Sequence, residues 1–344
     1  MKIIDGSYGE GGGQIFRTSL TLAMCLGETV RIENIRAGRK KPGLLRQHLA
    51  CLRAAQEICG AQVDGDYMGS QEVMFAPGRI KGGDYEFSVG SAGSTTLIFQ
   101  TIFLPLLMAD ERTTLTLSGG THNGMAPSYE FLTKSFLPIM RRMGCDIKTH
   151  LECYGFYPAG GGKWQVAIQP NNGLQYLVLA YSDEARILKA VAISSKVPQH
   201  VAEREIGQVA LTYELNKDEM EIRNVNSVGP GNILSLQLSQ GGLTNVFDAF
   251  GQKNVSAESV ANKAIRMLQQ FEQANVAVDE HLADQLLLPL ICAKGGVFTT
   301  SEPSQHLLTN SFVVEKFVGK RVSINKENDK AWRVEVKSEV NSSG

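Results

Sequence analysis

One pattern occurs three times along the chain and constrains what it can fold into more than any other feature. The first copy runs GEGGGQIFRTSLTLAMCLGETVRIENIRAGRKKPGLLRQHLACLRAAQEICGAQV. A glycine-rich turn leads into an apolar helix, then a β-branched strand, a polar loop and a helix that Gly60 ends before another strand. The second copy starts at GSAGSTTLIFQTIFLPLLMADERTTLTLSGG and continues through APSYEFLTKSFLPIMRRMGCDI, with IFRT and IFQT at matching places. The third is DEHLADQLLLPLICAKGGVFTTSEPSQHLLTNSFVVEKFVGKRVSI, and its leading part, GFYPAGGGKWQVAI, stands well upstream. The second helix of each copy is expected to start at Pro42, Pro127 and Pro303, because the first helical position needs no N–H. Apolar stripes at helical spacing follow, such as Leu45, Leu49 and Leu52, or Leu132, Phe136, Met140 and Met143.

Strands alternating with such helices imply an α+β fold, an α/β sandwich of three units, each with a sheet on one side and two helices on the other. The third unit is interrupted from about Tyr181 to Asn275. That stretch reads as a strand at Arg186–Ile193, a helix from about Gln199 to Tyr213, three strands between Met220 and Gly251, and a helix from Ala257 to Ala274. The expected division is residues 1–180 plus 276–344 as the repeat-built catalytic domain, with 181–275 as a small inserted α/β domain. The length of 344 residues suits two domains.

Charge and cysteines narrow the classes. The formal net charge is −1, so a polyanion would have to be held by a local cluster. The six cysteines form no C-x-x-C pair, which favours a reduced, cytoplasmic setting. No apolar run is long enough to span a bilayer, so no membrane partner is expected.

Four clusters are candidates for chemistry. Gly9-Glu10-Gly11-Gly12-Gly13-Gln14 opens a helix, where backbone N–H groups suit a phosphate. It is neither a P-loop nor a dinucleotide fingerprint, and a plain tight turn explains the glycines too. Glu10 has no structural task in such a turn, and a carboxylate there suits a Mg²⁺ carried by a nucleotide. The densest basic run is Arg36-Ala37-Gly38-Arg39-Lys40-Lys41, with Arg46 and Gln47 following and Arg17 on the neighbouring helix. It reads equally as a phosphate site or a solvated loop. His306 stands in a helical first turn, where the helix dipole is expected to keep the imidazole neutral and nucleophilic; a structural role is the competing reading. His281-Leu282-Ala283-Asp284-Gln285 reads first as the polar start of an apolar helix. His48 reads as a core residue, and His122 is left open.

Taken together, GEGGGQIFRTSL, RAGRKKPGLLRQHL, GSAGSTTL, FYPAGGG, KVPQHVAEREI, HLADQLLLPL and PSQHLLTN resemble, in order, the signatures of the RNA 3′-terminal phosphate cyclase family. The resemblance implies three units like the C-terminal domain of bacterial translation initiation factor three, with a smaller domain inserted in the third. It implies ATP-dependent conversion of an RNA 3′-phosphate to a 2′,3′-cyclic phosphodiester, through AMP carried on His306. ATP would be bound by Gln100, Pro127 and the stretch His281, Leu282, Ala283, Asp284 and Gln285. Arg17, Arg36, Arg39 and Gln47 would handle phosphates and the RNA end, and Glu10 would contact Mg²⁺ or Mn²⁺. RNA with a 3′-terminal phosphate is the implied partner, and a homodimer is among the assemblies expected. At position 281 many members have Tyr, and here an imidazole stacks more weakly. Two rivals are a non-catalytic RNA-processing relative, which His306 argues against, and an enolpyruvyl transferase, which uses more copies of a related unit.

Overall fold

A computed structural model describes residues 1–90 and 92–338. Ser91 of GSAGSTTL and the C-terminal VNSSG lie outside the described residues. The first unit comprises β1 (Lys2–Asp5), α1 (Gly13–Leu26), β2 (Val30–Glu33), α2 (Arg46–Cys59), β3 (Gln62–Asp64) and β4 (Val73–Ala76). The second comprises β5 (Gly83–Ser88), α3 (Thr95–Leu107), β6 (Thr113–Gly119), a π-helical turn at Phe131–Phe136 running into α4 (Leu137–Arg142), β7 (Ile147–Cys153) and β8 (Gly162–Ile168). The third opens with β9 (Leu177–Leu179). It is interrupted by β10 (Ile187–Ser195), α5 (Gln199–Tyr213), β11 (Met220–Asn224), β12 (Gly231–Gln240), β13 (Leu243–Phe250) and α6 (Ala257–Ala274). It resumes with α7 (Glu280–Cys292), β14 (Gly296–Thr300), α8 (Gln305–Val318), β15 (Val322–Lys326) and β16 (Trp332–Val336).

The sheets repeat one topology. Their orders are β1-β2-β4-β3, β5-β6-β8-β7 and β9-β14-β16-β15. In each, the first two strands are parallel and the remaining pairs antiparallel. The strands of the interruption make a sheet of their own, β11-β10-β12-β13, covered by α5 and α6. Most of its apolar side chains form a second core, although Leu243 and Val246 of β13 pack into the main one.

Two expectations are corrected. GFYPAGGGKWQVAI does not lead the third unit: β8 lies between β6 and β7 and completes the second sheet. Trp164, fully buried on β8, donates its indole N–H to Thr95 Oγ1 at 2.8 Å, tying that strand to the start of α3. Nor do the prolines occupy the first helical positions. Ser304 caps α8, its Oγ accepting from Leu307 N at 3.0 Å, and Ser128 accepts from Phe131 N at 2.9 Å. Pro303 and Pro127 precede these caps, because a serine hydroxyl satisfies an orphan N–H whereas a proline can only lack one.

The units face inward through their helices. α1 packs against α2, α3, α7 and α8, so helices from all three units meet around it. α1, α3 and α7 are the first helices of their units, and they send long polar side chains, Gln14 and Arg17, Gln100, and Gln285, into a common cleft.

Candidate active site

The glycine turn sets the geometry at the N-terminus of α1. Gly9 and Gly11 adopt φ of 62° and 56°, the left-handed region that suits glycine. A Cβ on Gly9 would also stand 2.5 Å from Thr309 Oγ1, so glycine lets the turn lie directly on α8. No side chain caps α1, which leaves its first N–H groups for solvent or an anion.

That close approach brings Glu10 to His306, 296 positions away in sequence. Glu10 Oε2 lies 2.7 Å from His306 Nδ1, an ion pair when the imidazole is protonated. The other carboxylate oxygen pairs with Arg39, whose Nη2 also donates to the Glu10 carbonyl at 2.9 Å. The His306 side chain remains 44% exposed. Glu10 takes Nδ1, which leaves Nε2 as the ring nitrogen without that contact.

The electrostatics differ from the sequence expectation. The Glu10 contact, opposed by burial and reinforced by Asp284, raises His306 above the ordinary value of 6.5. A full carboxylate charge at contact outweighs the fractional charge of a helix N-terminus. Glu10 is lowered in turn, chiefly by His306. Asp284, buried on α7, accepts from the Ser304 hydroxyl; burial pushes its carboxyl up to about 7.

Behind His306 runs a polar network. Asn310 Nδ2 donates to the Asp284 carbonyl at 3.1 Å, and Thr18 donates to Asn310 Oδ1 at 2.7 Å. Gln14 Nε2 reaches the same oxygen at 3.3 Å, and Arg17 donates to Gln14 Oε1 at 2.7 Å. The amides of Gln100 and Gln285 pair across the cleft. The structure therefore brings together Glu10, Arg17, Arg39, Gln100, Asp284, Gln285 and His306.

Other expected residues are placed differently. Arg36 donates to the Lys41 and Gly43 carbonyls at 2.6 and 2.9 Å, so it shapes the basic loop. Gln47 donates to the Ser94 carbonyl at 2.9 Å, joining α2 to the second glycine turn. Leu282 and Ala283 face the core, which leaves only their backbone for a ligand. His281 is exposed in the first turn of α7, its N–H on the capping Asp279. Pro127 is not among the residues lining the cleft; its carbonyl accepts from Thr96 at 2.8 Å.

Two residues read as structural or left aside belong here. Asn310 is one. His48 is the other: its Nδ1 accepts from Leu45 N at 3.0 Å, and its Nε2 stands 2.6 Å from where a Gly13 Cβ would be. Burial, then the cations Arg17 and Arg36, lower it to about 3, so it stays neutral. The Q-H pair at 47–48, facing a glycine turn, was the available signal. His122 is buried, paired with Glu130 and stacked on Tyr154, away from this cleft.

Among the described residues no group of three or more His, Cys, Asp or Glu side chains could hold a metal unaided. A cation arriving on phosphates needs only one or two carboxylates, and Glu10 beside an uncapped helix N-terminus fits that role.

The RNA 3′-terminal phosphate cyclase family model matches residues 8–324. The chain belongs to the RNA 3′-terminal phosphate cyclase family. Curated relatives named RNA 3′-terminal phosphate cyclase include one from Salmonella typhimurium, 47% identical over 324 residues, covering 93% of this chain and 94% of the relative. Another, from Ectopseudomonas mendocina, is 43% identical and covers 97% of each. Among solved structures, the enolpyruvyl transferase NikO from Streptomyces tendae aligns over 97% of this chain and 48% of its own, at 11% identity and a TM-score of 0.39. No helix among the described residues is long and apolar enough to cross a membrane.

Proposed function

We propose that this family member uses ATP to convert an RNA 3′-terminal phosphate into a 2′,3′-cyclic phosphodiester, with AMP carried on His306. The observation that supports this best is an accessible imidazole with one nitrogen on Glu10 and the other free, beside an arginine-lined glycine turn. His306 Nε2 attacks the α-phosphorus of ATP, an N–P bond forms and pyrophosphate leaves. An oxygen of the RNA 3′-phosphate then displaces the imidazole, giving an RNA–AMP anhydride. The adjacent ribose 2′-hydroxyl loses its proton and attacks the 3′-phosphorus, expelling AMP. This last step is intramolecular, so proximity supplies much of its rate. Arg17 and Arg39 offset charge on the phosphates, and a Mg²⁺ or Mn²⁺ bound with the nucleotide would be held by Glu10.

Nucleotide is proposed to sit against Gln100, Asp284, Gln285 and the exposed His281, with Pro127 toward the base. On this reading residues 181–275 form an inserted domain, and the three repeated units share the fold of the C-terminal domain of initiation factor three. The non-catalytic alternative is disfavoured, since His306, Glu10 and Arg39 have no structural need to converge. The test is an oligoribonucleotide with a 3′-phosphate and ATP: the product should resist phosphatase, and a phosphatase-sensitive end after prolonged incubation would overturn the proposal.

The geometry separates the two loop arginines. Arg39→Ala should slow reaction of a 3′-phosphate end by about ten- to a hundred-fold, the cost of a charged hydrogen bond of roughly 1.5–3 kcal/mol. Arg36→Ala should show a loss of that size together with a lower melting temperature, because its guanidinium holds loop carbonyls. Wild-type cyclisation by both variants would make the loop a solvated face.

His281→Tyr should tighten ATP use, since a larger ring offers more surface to a base, by part of the roughly 1–3 kcal/mol that one base–aromatic stack supplies. His281→Ala should raise the ATP requirement without blocking labelling at saturation. Identical ATP dependence in all three forms would remove His281 from the nucleotide site.

A further inference from the structure

Tyr8 lies two positions before Glu10 in the glycine turn, and it packs face to face on Phe312 of α8, with ring centroids 3.7 Å apart and planes within 13°. Although Phe312 covers one face of its ring, Tyr8 is 45% exposed. Leu308, one helical turn earlier, is 40% exposed, and the Lys316 ammonium stands 5.2 Å from the Phe312 centroid. The acids near it in sequence are engaged elsewhere: Asp5 accepts from the Ser7 backbone and hydroxyl, and Glu10 pairs with His306 and Arg39.

The location relative to His306 gives this surface its meaning. Phe312 lies roughly 9 Å along α8 from His306 and about 120° around it, with Thr309, which touches Gly9, between them. Tyr8 is linked to His306 through Glu10, two residues along the same turn, and its stacking partner stands less than two helical turns away on α8, a separation that a strand ending at His306 can span. It stands on the α8 side of the glycine turn, whereas Gln100 and Gln285 lie in the cleft between α3 and α7. A flat aromatic face accepts any base, and a neighbouring ammonium suits the strand's phosphates.

We infer that Tyr8, backed by Phe312, is a stacking platform for the base next to the RNA 3′-terminal nucleotide, with Lys316 serving the backbone. This rests on the reading of His306 as the residue that carries AMP. The other source of a base is the adenine of ATP, and the experiment separates the two. Fluorescence anisotropy measures binding of a 3′-phosphate oligoribonucleotide, either complete or abasic at the next-to-last position, to wild type, Tyr8→Ala and Tyr8→Phe. AMP labelling against ATP concentration is measured in parallel.

Tyr8→Ala should weaken binding of complete RNA about ten-fold, and Tyr8→Phe should restore it. The abasic RNA should bind wild type as weakly as complete RNA binds Tyr8→Ala, with no further loss in the variant. ATP dependence should be the same in all three. Equal losses on both RNAs would mean that Tyr8 only shapes the turn, and altered ATP dependence with unchanged RNA binding would assign the platform to adenine; either overturns the inference. Base-dependent RNA binding without any AMP labelling would overturn the functional reading and leave the platform standing.

Discussion

His306→Ala is expected to carry no AMP after incubation with ATP and Mg²⁺ or Mn²⁺, where the wild-type protein gains one AMP per chain. The wild-type adduct should be acid-labile and alkali-stable, as a phosphoramidate is, and intact mass resolves it directly. The variant should fold. The imidazole is 44% exposed, alanine is the best helix former, and the α8 cap uses Ser304 and Leu307 rather than the ring. Losing the partly exposed Glu10 contact costs on the order of 1 kcal/mol or less. A second measurement separates nucleophile from bystander. RNA supplied already adenylylated on its 3′-phosphate needs no histidine nucleophile, because the 2′-hydroxyl attacks within the substrate. His306→Ala should therefore remain able to cyclise that RNA while failing with ATP and ordinary 3′-phosphate RNA. AMP labelling that persists in the variant would remove His306 from the nucleophile role.

The repeated units could be read from sequence because each carries its own punctuation: a glycine turn, an apolar helix, a β-branched strand and a second amphipathic helix. α5 and α6 appear at the residues expected from periodicity and turn signals. What failed was sheet membership. The glycines of GFYPAGGG look like the start of another repeat, yet whether a strand pairs with β6 or β14 depends on contacts far apart in sequence. The serine caps were obscured by the prolines beside them. At the site, no spacing rule joins Glu10 to His306 or Thr18 to Asn310, and only the family resemblance suggested that the first pair acts together. The charge state of His306 was misjudged for the same reason: the dipole of its own helix is local and readable, and the carboxylate that dominates it is not.

The second large effect is in pH. Only a neutral imidazole has the lone pair that attacks phosphorus. His306 is raised above 6.5, so at acidic pH it is mostly imidazolium, and AMP labelling should fall about ten-fold for each pH unit below its pKa and level off above it. Glu10, lowered by the same contact, stays ionised across that range and does not produce the fall. Asp284, at about 7, ionises as pH rises and adds its charge near His306, which broadens the transition. Glu10→Gln removes the largest cause of the upward shift, leaving burial to lower the pKa and Asp284 to raise it. The rise in labelling should move to lower pH in Glu10→Gln, so the variant gains relative activity in acid. If Glu10 also holds the cation, its plateau should drop at the same time. Single-turnover labelling from well below to well above the ordinary histidine range reads both quantities separately, the midpoint reporting the charge contact and the plateau the cation. A midpoint identical in wild type and Glu10→Gln would show that Glu10 does not set the protonation of His306, and the contact between them would then have no part in the timing of attack.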